Sequence, residues 1–531
     1  MKKFNTTGIC RPEKHYMVDI QERLIQIKEM VDDGQYFVIN RARQYGKTTT
    51  LFALKKFLAK DYLVVFLDFQ SQMSTRKFEN EMIFSIAFLE AFLKKISFDE
   101  ISSSLNLKEK LEQLNRFYRD NPERLDLVEL FNLLSEVCAI SEKPIVLMID
   151  EVDSASNNQV FLDFLAQLRD GFLARDEEPA FHSVILAGLY DIKNLKQKIR
   201  SEQEHKTNSP WNIAADYDIV MSLSEAGIAN MLEEYNREHQ ISMDVSSMAK
   251  DIYDYTSGYP FLVSRICKLI DEKIAFQMSK EEAWTHRGFV EALKLLYNEK
   301  NTLFDSLTHR MEENKELETL VYDVLFMGKH ILYDSYNTAI EQAQILGFVK
   351  NKDGAVAITN RIFETRLYNM FLSTSESRST SAYVVGMKEK NQFISNGNLD
   401  MEQILYKFVQ HYTEIYGDRE EVFIENEGRR LFLLYLRPII NGVGNYYIEA
   451  QTRDSRRTDV IVDYNGQQYI IELKIWHEDR YHMSAEEQLS DYLDTYHAKK
   501  GYLLTFSFNK KKEAGVKTVT YKDKIIVEAI V

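Results

Sequence analysis

The chain has 531 residues, 45% of them hydrophobic and 28% charged, a length that predicts about three to four domains, each able to bury its own core. Its net charge of −15 argues against a protein that coats nucleic acid non-specifically. Cys10, Cys138 and Cys267 are too scattered for a zinc site and too few for a disulfide framework. No apolar run reaches the roughly eighteen residues of a membrane helix, and the expected compartment is the cytosol, without a membrane partner.

In chain order, residues 13–35 lead through His15-Tyr-Met-Val-Asp-Ile20 and a helical pattern to Tyr36-Phe-Val-Ile-Asn40, a short buried strand. A basic loop follows, then Gly46-Lys47-Thr48-Thr49-Thr50 at a helix start. Strand, loop and helix in that order form a phosphate-binding loop, because backbone N–H groups at the helix start converge on phosphate oxygens. Gly46 gives the close backbone approach, Lys47 the charge on the β- and γ-phosphates, and Thr48 a hydroxyl for Mg²⁺. Where the motif G-x-x-x-x-G-K-[ST] begins with glycine this chain has Arg41, so the loop is expected to turn differently and to bring Arg41 or Arg43 near the nucleotide.

Tyr62–Asp68 reads as the next buried strand and residues 79–134 as helical. Ile145-Val-Leu-Met-Ile-Asp150-Glu151 is an apolar run that delivers two acids at a strand end. In an ATPase, Asp150 holds Mg²⁺ through water and Glu151 polarises the attacking water. A helix over about 158–173 and a buried strand at His182–Gly188 complete the alternation expected of a parallel sheet covered by helices, with ligands beyond the carboxyl ends of its strands. Residues 225–293 read as helical, interrupted at Thr256-Ser-Gly-Tyr-Pro-Phe-Leu262. Residues 316–372 look like a winged helix, with two strands around Asp353-Gly354, expected to pack on the nucleotide domain. Ser373–Ser381, STSESRSTS, is the predicted flexible linker.

HYMVDI, INRARQYGKTTT, IVLMIDEVD, ILAGLYD and SGYPFLV, in that order, resemble the AAA-ATPase-like family of prokaryotic proteins over about residues 5–370. The resemblance implies ATP and Mg²⁺ at a site built from Arg43, Gly46, Lys47, Thr48, Thr49 and Asp150, with Glu151 catalytic, and self-association through the ATPase domain. Gly188, at a strand end that would carry a polar sensor residue, departs from the pattern.

The C-terminal part is less acidic: residues 381–531 hold 20 Lys and Arg against 23 Asp and Glu, a balance of −3 out of the total of −15. Arg429-Arg430, Arg453, Arg456-Arg457, Lys499-Lys500 and Lys510-Lys511-Lys512 are its candidate basic surface. Here Asn465-Gly466 joins two β-rich runs, the strongest short hairpin signal. A two-residue turn sets Tyr464 opposite Gln467 and Asp459 opposite Glu472. Opposed carboxylates repel, and a divalent cation between them would offset the repulsion. Lys474, two residues on, shares the face of Glu472 and would orient water or neutralise a phosphate.

Asp459, Glu472 and Lys474 resemble the PD-(D/E)xK nuclease superfamily over about residues 395–531. The resemblance adds Glu425 or Glu427 as an upstream acid and Gln488 with Tyr492 as an accessory pair, with Mg²⁺ or Mn²⁺ as cofactor and nucleic acid, DNA in the first place, as partner. The expected architecture is therefore α/β: a P-loop parallel-sheet ATPase domain (1–222), a helical lid (223–310), a winged-helix-like unit (311–372), a linker (373–394) and an α/β PD-(D/E)xK nuclease-like domain (395–531). The expected function is an ATPase that controls a metal-dependent nuclease. The alternatives are a nucleotide-switched binding or scaffold protein whose hairpin does not cut, and a nuclease whose P-loop binds ATP without turnover.

Overall fold

The computed structural model describes residues 1–98, 105–120, 122–155, 158–188, 211–326, 331–395, 397–416, 425–440, 444–450, 458–464, 467–476, 486–487, 489–490, 493–494, 498–507 and 514–531. The chain divides into two compact units: Met1–Ala249 with Gly258–Gly288 and Ile345–Gly347, and Lys250–Ser257 with Phe289–Gln344 and Phe348–Val531.

In the first unit, β1 (Lys3–Phe4) pairs in parallel with β2 (His15–Tyr16). The central sheet holds β3 (Tyr36–Asn40), β4 (Leu63–Asp68), β5 (Ile145–Asp150) and β6 (Ser183–Gly188) in the order β3-β6-β5-β4. Every pairing is parallel. Its strands are apolar almost throughout because both faces are covered. One face packs Val38, Val65, Leu147 and Leu186 against Phe84, Phe88 and Phe164. The other packs Ile39, Val64 and Met148 against Leu51, Leu54 and Ile27. All four carboxyl ends thus open on one edge, where Gly46 and Asp150 lie.

In the second unit, β7 (Val349–Lys352) and β8 (Ala355–Ile358) form an antiparallel hairpin, with Asp353 at φ +53° and Gly354 at +83°, the two positive angles of a type I′ turn. After the short β9 (Ile394–Ser395) and β10 (Asn398–Leu399), a six-stranded sheet comprises β11 (Gly444–Ala450), β12 (Thr458–Tyr464), β13 (Gln467–Trp476), β14 (Lys500–Ser507), β15 (Gly515–Tyr521) and β16 (Lys524–Ile530), in the order β11-β12-β13-β14-β16-β15. It is antiparallel from β11 to β13, parallel from β13 through β14 to β16, and antiparallel again at β15.

One expectation is corrected. The segment expected to be a flexible linker forms helices at Ser375–Ser379 and Ser381–Glu389. The second packs so closely on the helix Glu425–Ile440 that a Cβ on Gly386 would sit 2.1 Å from the Tyr435 carbonyl oxygen. The segment expected to be a winged helix falls in the second unit apart from Ile345–Gly347. Its last helix, Arg361–Phe371, meets the C-terminal sheet there: Tyr446 Oη donates to Asn369 Oδ1 at 3.0 Å, and Arg437 reaches Asn369 and Ser373.

Candidate functional sites

Gly46 caps the helix Lys47–Leu58 with φ +84° and ψ 14°, a left-handed conformation that glycine adopts without strain. Nothing lies within 4 Å of where a Cβ would stand, so the requirement is for the backbone angle rather than for space. Lys47 is 8% exposed, and its ammonium donates to the carbonyls of Arg41 at 2.7 Å and Ala42 at 3.1 Å. Burial pushes its pKa below the ordinary lysine value, against the pull of Glu151, Asp153 and Asp150.

Thr48 Oγ1 donates to Asp150 Oδ2 at 2.7 Å, and the Glu151 N–H donates to Asp150 Oδ1 at 2.9 Å. The helix and the end of β5 thereby meet at one buried carboxylate. Burial raises the Asp150 pKa, while Thr48, the Glu151 N–H and Lys47 oppose the rise. Glu151 is raised too, by burial first and then by Asp150. Its backbone sits at φ +55°, unusual for a residue with a side chain and costly wherever it occurs.

Arg41 and Arg43 diverge. Arg41 occupies the place of the motif's first glycine and turns away, donating to the carbonyls of Tyr217 at 3.1 Å and Ile219 at 3.2 Å, with its guanidinium 5.2 Å from the Tyr217 ring centre. Arg43 lines a cavity of about 570 Å³, a size ordinary for a small-molecule site. Gly46, Lys47, Thr48, Glu151 and Asp153 form a polar end of that cavity, Met17, Val18, Ile20, Leu223, Pro260 and Phe261 contribute apolar surface, and Asn5–Gly8 and Cys10 also line it.

The SGYPFLV motif braces this cavity. Gly258, at φ +70°, passes so close to Leu223 that a Cβ would lie 1.9 Å from its carbonyl oxygen. Tyr259 donates its hydroxyl to the Arg43 carbonyl at 2.5 Å and packs edge-on against Tyr45. The missing sensor also has a packing cause. A Cβ on Gly188 would be 2.8 Å from both Asp153 Oδ1 and Val152 Cγ2, because the 3-10 turn Val152–Ala155 lies against the end of β6.

In the C-terminal sheet, Asp459 pairs with Glu472 and Tyr464 with Gln467, the register expected from the turn, although Asn465 and Gly466 themselves lie outside the described residues. Glu472 is 3% exposed, and the Lys474 ammonium is 3.2 Å from its Oε1. On the other side of Asp459 the register sets Glu449, a residue the sequence reading did not single out. Its signal was the β-rich run NYYIEA, whose partner no turn motif between it and Thr458 fixes.

Cross-strand partners share a sheet face, so Glu449, Asp459, Glu472, Leu503 and Glu528 form one row over five strands. Glu528 is 1% exposed and meets Lys517 at 2.8 Å. The side chains of Glu449, Asp459, Glu425 and Glu427 lie outside the described residues, as do Gln488 and Tyr492. Leu489 and Leu493 are described, and both abut Gly501 of β14, on the face of the carboxylate row. Among the described residues no three His, Cys, Asp or Glu side chains converge as metal ligands.

Arg429 and Arg430, candidates for a basic surface, are used internally. Arg429 is 4% exposed, 3.8 Å from Glu364 and over the Tyr368 ring, and Arg430 lies over Tyr322 and Phe326. Burial raises the Glu364 pKa, with Arg429 and Arg361 opposing. Lys500 pairs with Glu402.

A four-stranded parallel sheet with a glycine-capped loop, a buried lysine and a Thr48–Asp150 contact at its carboxyl edge defines the class: a P-loop ATPase fold. A sequence profile described as an AAA-like domain matches residues 13–373, and the chain belongs to that family. Three solved structures are similar. The Walker-type ATPase PABY2304 of Pyrococcus abyssi is 15% identical over 68% of this chain and 99% of its own, at a TM-score of 0.47. The ORC2 protein of Aeropyrum pernix, in ADPNP–ADP complexes, is 12% identical over 70% and 97%, at 0.35. The RuvB Holliday junction branch migration motor of Thermotoga maritima is 11% identical over 64% and 92%, at 0.32. No curated protein matches the chain. Among the described residues no helix is long and apolar enough to cross a membrane.

Proposed function

We propose that the chain binds and hydrolyses ATP in its AAA-like part and uses the nucleotide state to control phosphodiester cleavage in nucleic acid, DNA foremost, by its C-terminal sheet. The sequence resemblance would imply, for such an activity, a role in prokaryotic defence or mobile-element biology. The carrying observation for the first half is the Thr48–Asp150 contact of 2.7 Å beside Lys47. It brings a hydroxyl and a carboxylate together where a P-loop holds its metal, and Mg²⁺ bound there would neutralise phosphate charge. Lys47 exchanges the Arg41 and Ala42 carbonyls for β- and γ-phosphate oxygens, the N–H groups around Gly46 cradle the phosphates, and Glu151 orients the water. Lys47→Ala is expected to lose ATP binding in equilibrium dialysis, and Glu151→Gln to keep binding and lose phosphate release. Two variants that hydrolyse like the parent would refute the assignment.

For the second half, support comes from Asp459 opposite Glu472 with Lys474 beside it. Mg²⁺ or Mn²⁺ held by the two carboxylates would activate water for in-line attack, and Lys474 would steady that water or the phosphate. One observation favours the rival, a nucleotide-switched scaffold with an inactive hairpin: Lys474 already neutralises Glu472 at 3.2 Å. Incubating the protein with plasmid, single-stranded DNA or RNA in Mg²⁺ or Mn²⁺, with ATP, ADP or neither, separates the readings. Cleavage lost in Asp459→Ala and Glu472→Ala alike supports the nuclease, and ATP binding without cleavage under any condition supports the scaffold.

A further inference from the structure

The nucleotide cavity has a wall that no motif announced. Residues 5–14 form an excursion whose ends are tied together: β1 and β2 pair at its base, and the Lys3 N–H donates to the Lys14 carbonyl at 3.1 Å. That base is docked among the lid helices. The Phe4 ring packs, tilted, against those of Tyr16, Tyr235 and Trp284 at centroid distances of 5.0, 5.3 and 5.9 Å, and Tyr16 donates its hydroxyl to Glu238 at 2.6 Å. Further along, the loop crosses to the phosphate-binding helix, where the Cys10 N–H donates to Thr49 Oγ1 at 3.2 Å. Asn5, Thr6, Thr7, Gly8 and Cys10 line the cavity in between. A compact loop with closed ends is a common carrier of function.

Resting on the reading of this cavity as a nucleotide site, we infer that the loop 5–10 is a positioning element of that site: a strap carried by the lid, which holds a nucleoside triphosphate against the P-loop. Asn5, Thr6 and Thr7 offer side-chain donors and acceptors to the ribose and the inner phosphates, and the backbone around Gly8 lets the strap lie close. The Cys10–Thr49 hydrogen bond latches the strap to the residue directly after the Mg²⁺-binding threonine. Nucleotide occupancy and lid position are thereby joined through a segment remote in sequence from both P-loop and lid.

Gly8 provides the test. It sits at φ +66°, and nothing lies within 4 Å of where its Cβ would stand, so Gly8→Val alters the strap backbone without touching the core. The valine strains the strap conformation by an amount that weakens any state requiring it up to about tenfold. In the parent, ATP is expected to slow iodoacetamide alkylation of Cys10, read by peptide mass spectrometry. In Gly8→Val that protection is expected to be lost and a fluorescent ATP analogue to dissociate up to about tenfold faster, while the apo protein melts cooperatively at or slightly below the parent temperature. Phe4→Leu, which loosens the docked base, should act in the same direction and more weakly. A parent that binds ATP while Cys10 stays equally reactive, with Gly8→Val releasing nucleotide at the parent rate, overturns the strap alone. A parent that binds no ATP overturns the nucleotide site and the strap together.

Discussion

Glu151 combines two unfavourable features in one residue: a carboxylate in a partly buried site and a side chain on a backbone at φ +55°. Strain of this kind costs on the order of 1–3 kcal/mol and persists where surrounding structure enforces it. Glu151→Gly should therefore raise the apo melting temperature while removing ATP turnover, and an equal or lower melting temperature would show that the backbone is not strained. The raised carboxyl pKa has its own consequence. A folded state that holds protons more tightly than the unfolded chain is stabilised fully below the ordinary carboxylate range, and that stabilisation is lost as pH rises through the raised value. Glu151→Gln, which keeps the backbone and cannot ionise, should melt above the parent at neutral pH, with the difference closing on acidification. Calorimetry of the metal-free proteins from neutral to acid pH would check the sign.

At the scale of elements, the Asn-Gly signal and the alternation of TDVIVDY and QQYIIELK determined the β12–β13 register, so Asp459 opposite Glu472 was legible before any coordinates. Glu449 was not, because seven residues, 451–457, stand between β11 and β12 in the sequence and no turn chemistry among them fixes the pairing. Asp459 is flanked at its register position by acids on both sides, and like charges directly opposite destabilise a pair. Asp459→Asn should thus melt at or above the metal-free parent, and Mn²⁺ should raise the parent's melting temperature but not the variant's. A clear loss in the metal-free variant would count against carboxylate repulsion. The serine- and threonine-rich segment misled for a physical reason. Its hydroxyls bond to nearby backbone at the helix ends, with Thr374 accepting from the Ser377 N–H and Thr380 donating to the Ser377 carbonyl, and composition alone does not distinguish such local bonding from solvation. Small residues then allow close packing, which only the partner helix reveals. Gly386→Val should lower the melting temperature by several degrees, since its Cβ would collide with the Tyr435 backbone.

At the scale of the molecule, the compact units do not follow the boundaries composition suggested. A fragment from residue 395 would lose the Asn369 and Ser373 partners of Tyr446 and Arg437, and would expose the surface that Gly386 covers. A fragment from about residue 286 keeps all of them. The longer fragment should unfold in one cooperative transition, and the shorter should melt lower and bind a hydrophobic dye; equal stability would mean that these contacts contribute little. The order of the chain carries a further consequence. Phe261 is the last residue to line the nucleotide cavity, and Glu472 follows more than two hundred residues later, which at roughly 5–20 residues per second is more than ten seconds of synthesis. Ribosome-bound chains arrested a little past Gly347 are therefore predicted to retain labelled ATP when pelleted with the ribosome. On the nascent chain the controlling half would be loaded before the residues it controls have been made, and no interval would exist in which the hairpin is present and its nucleotide switch is not.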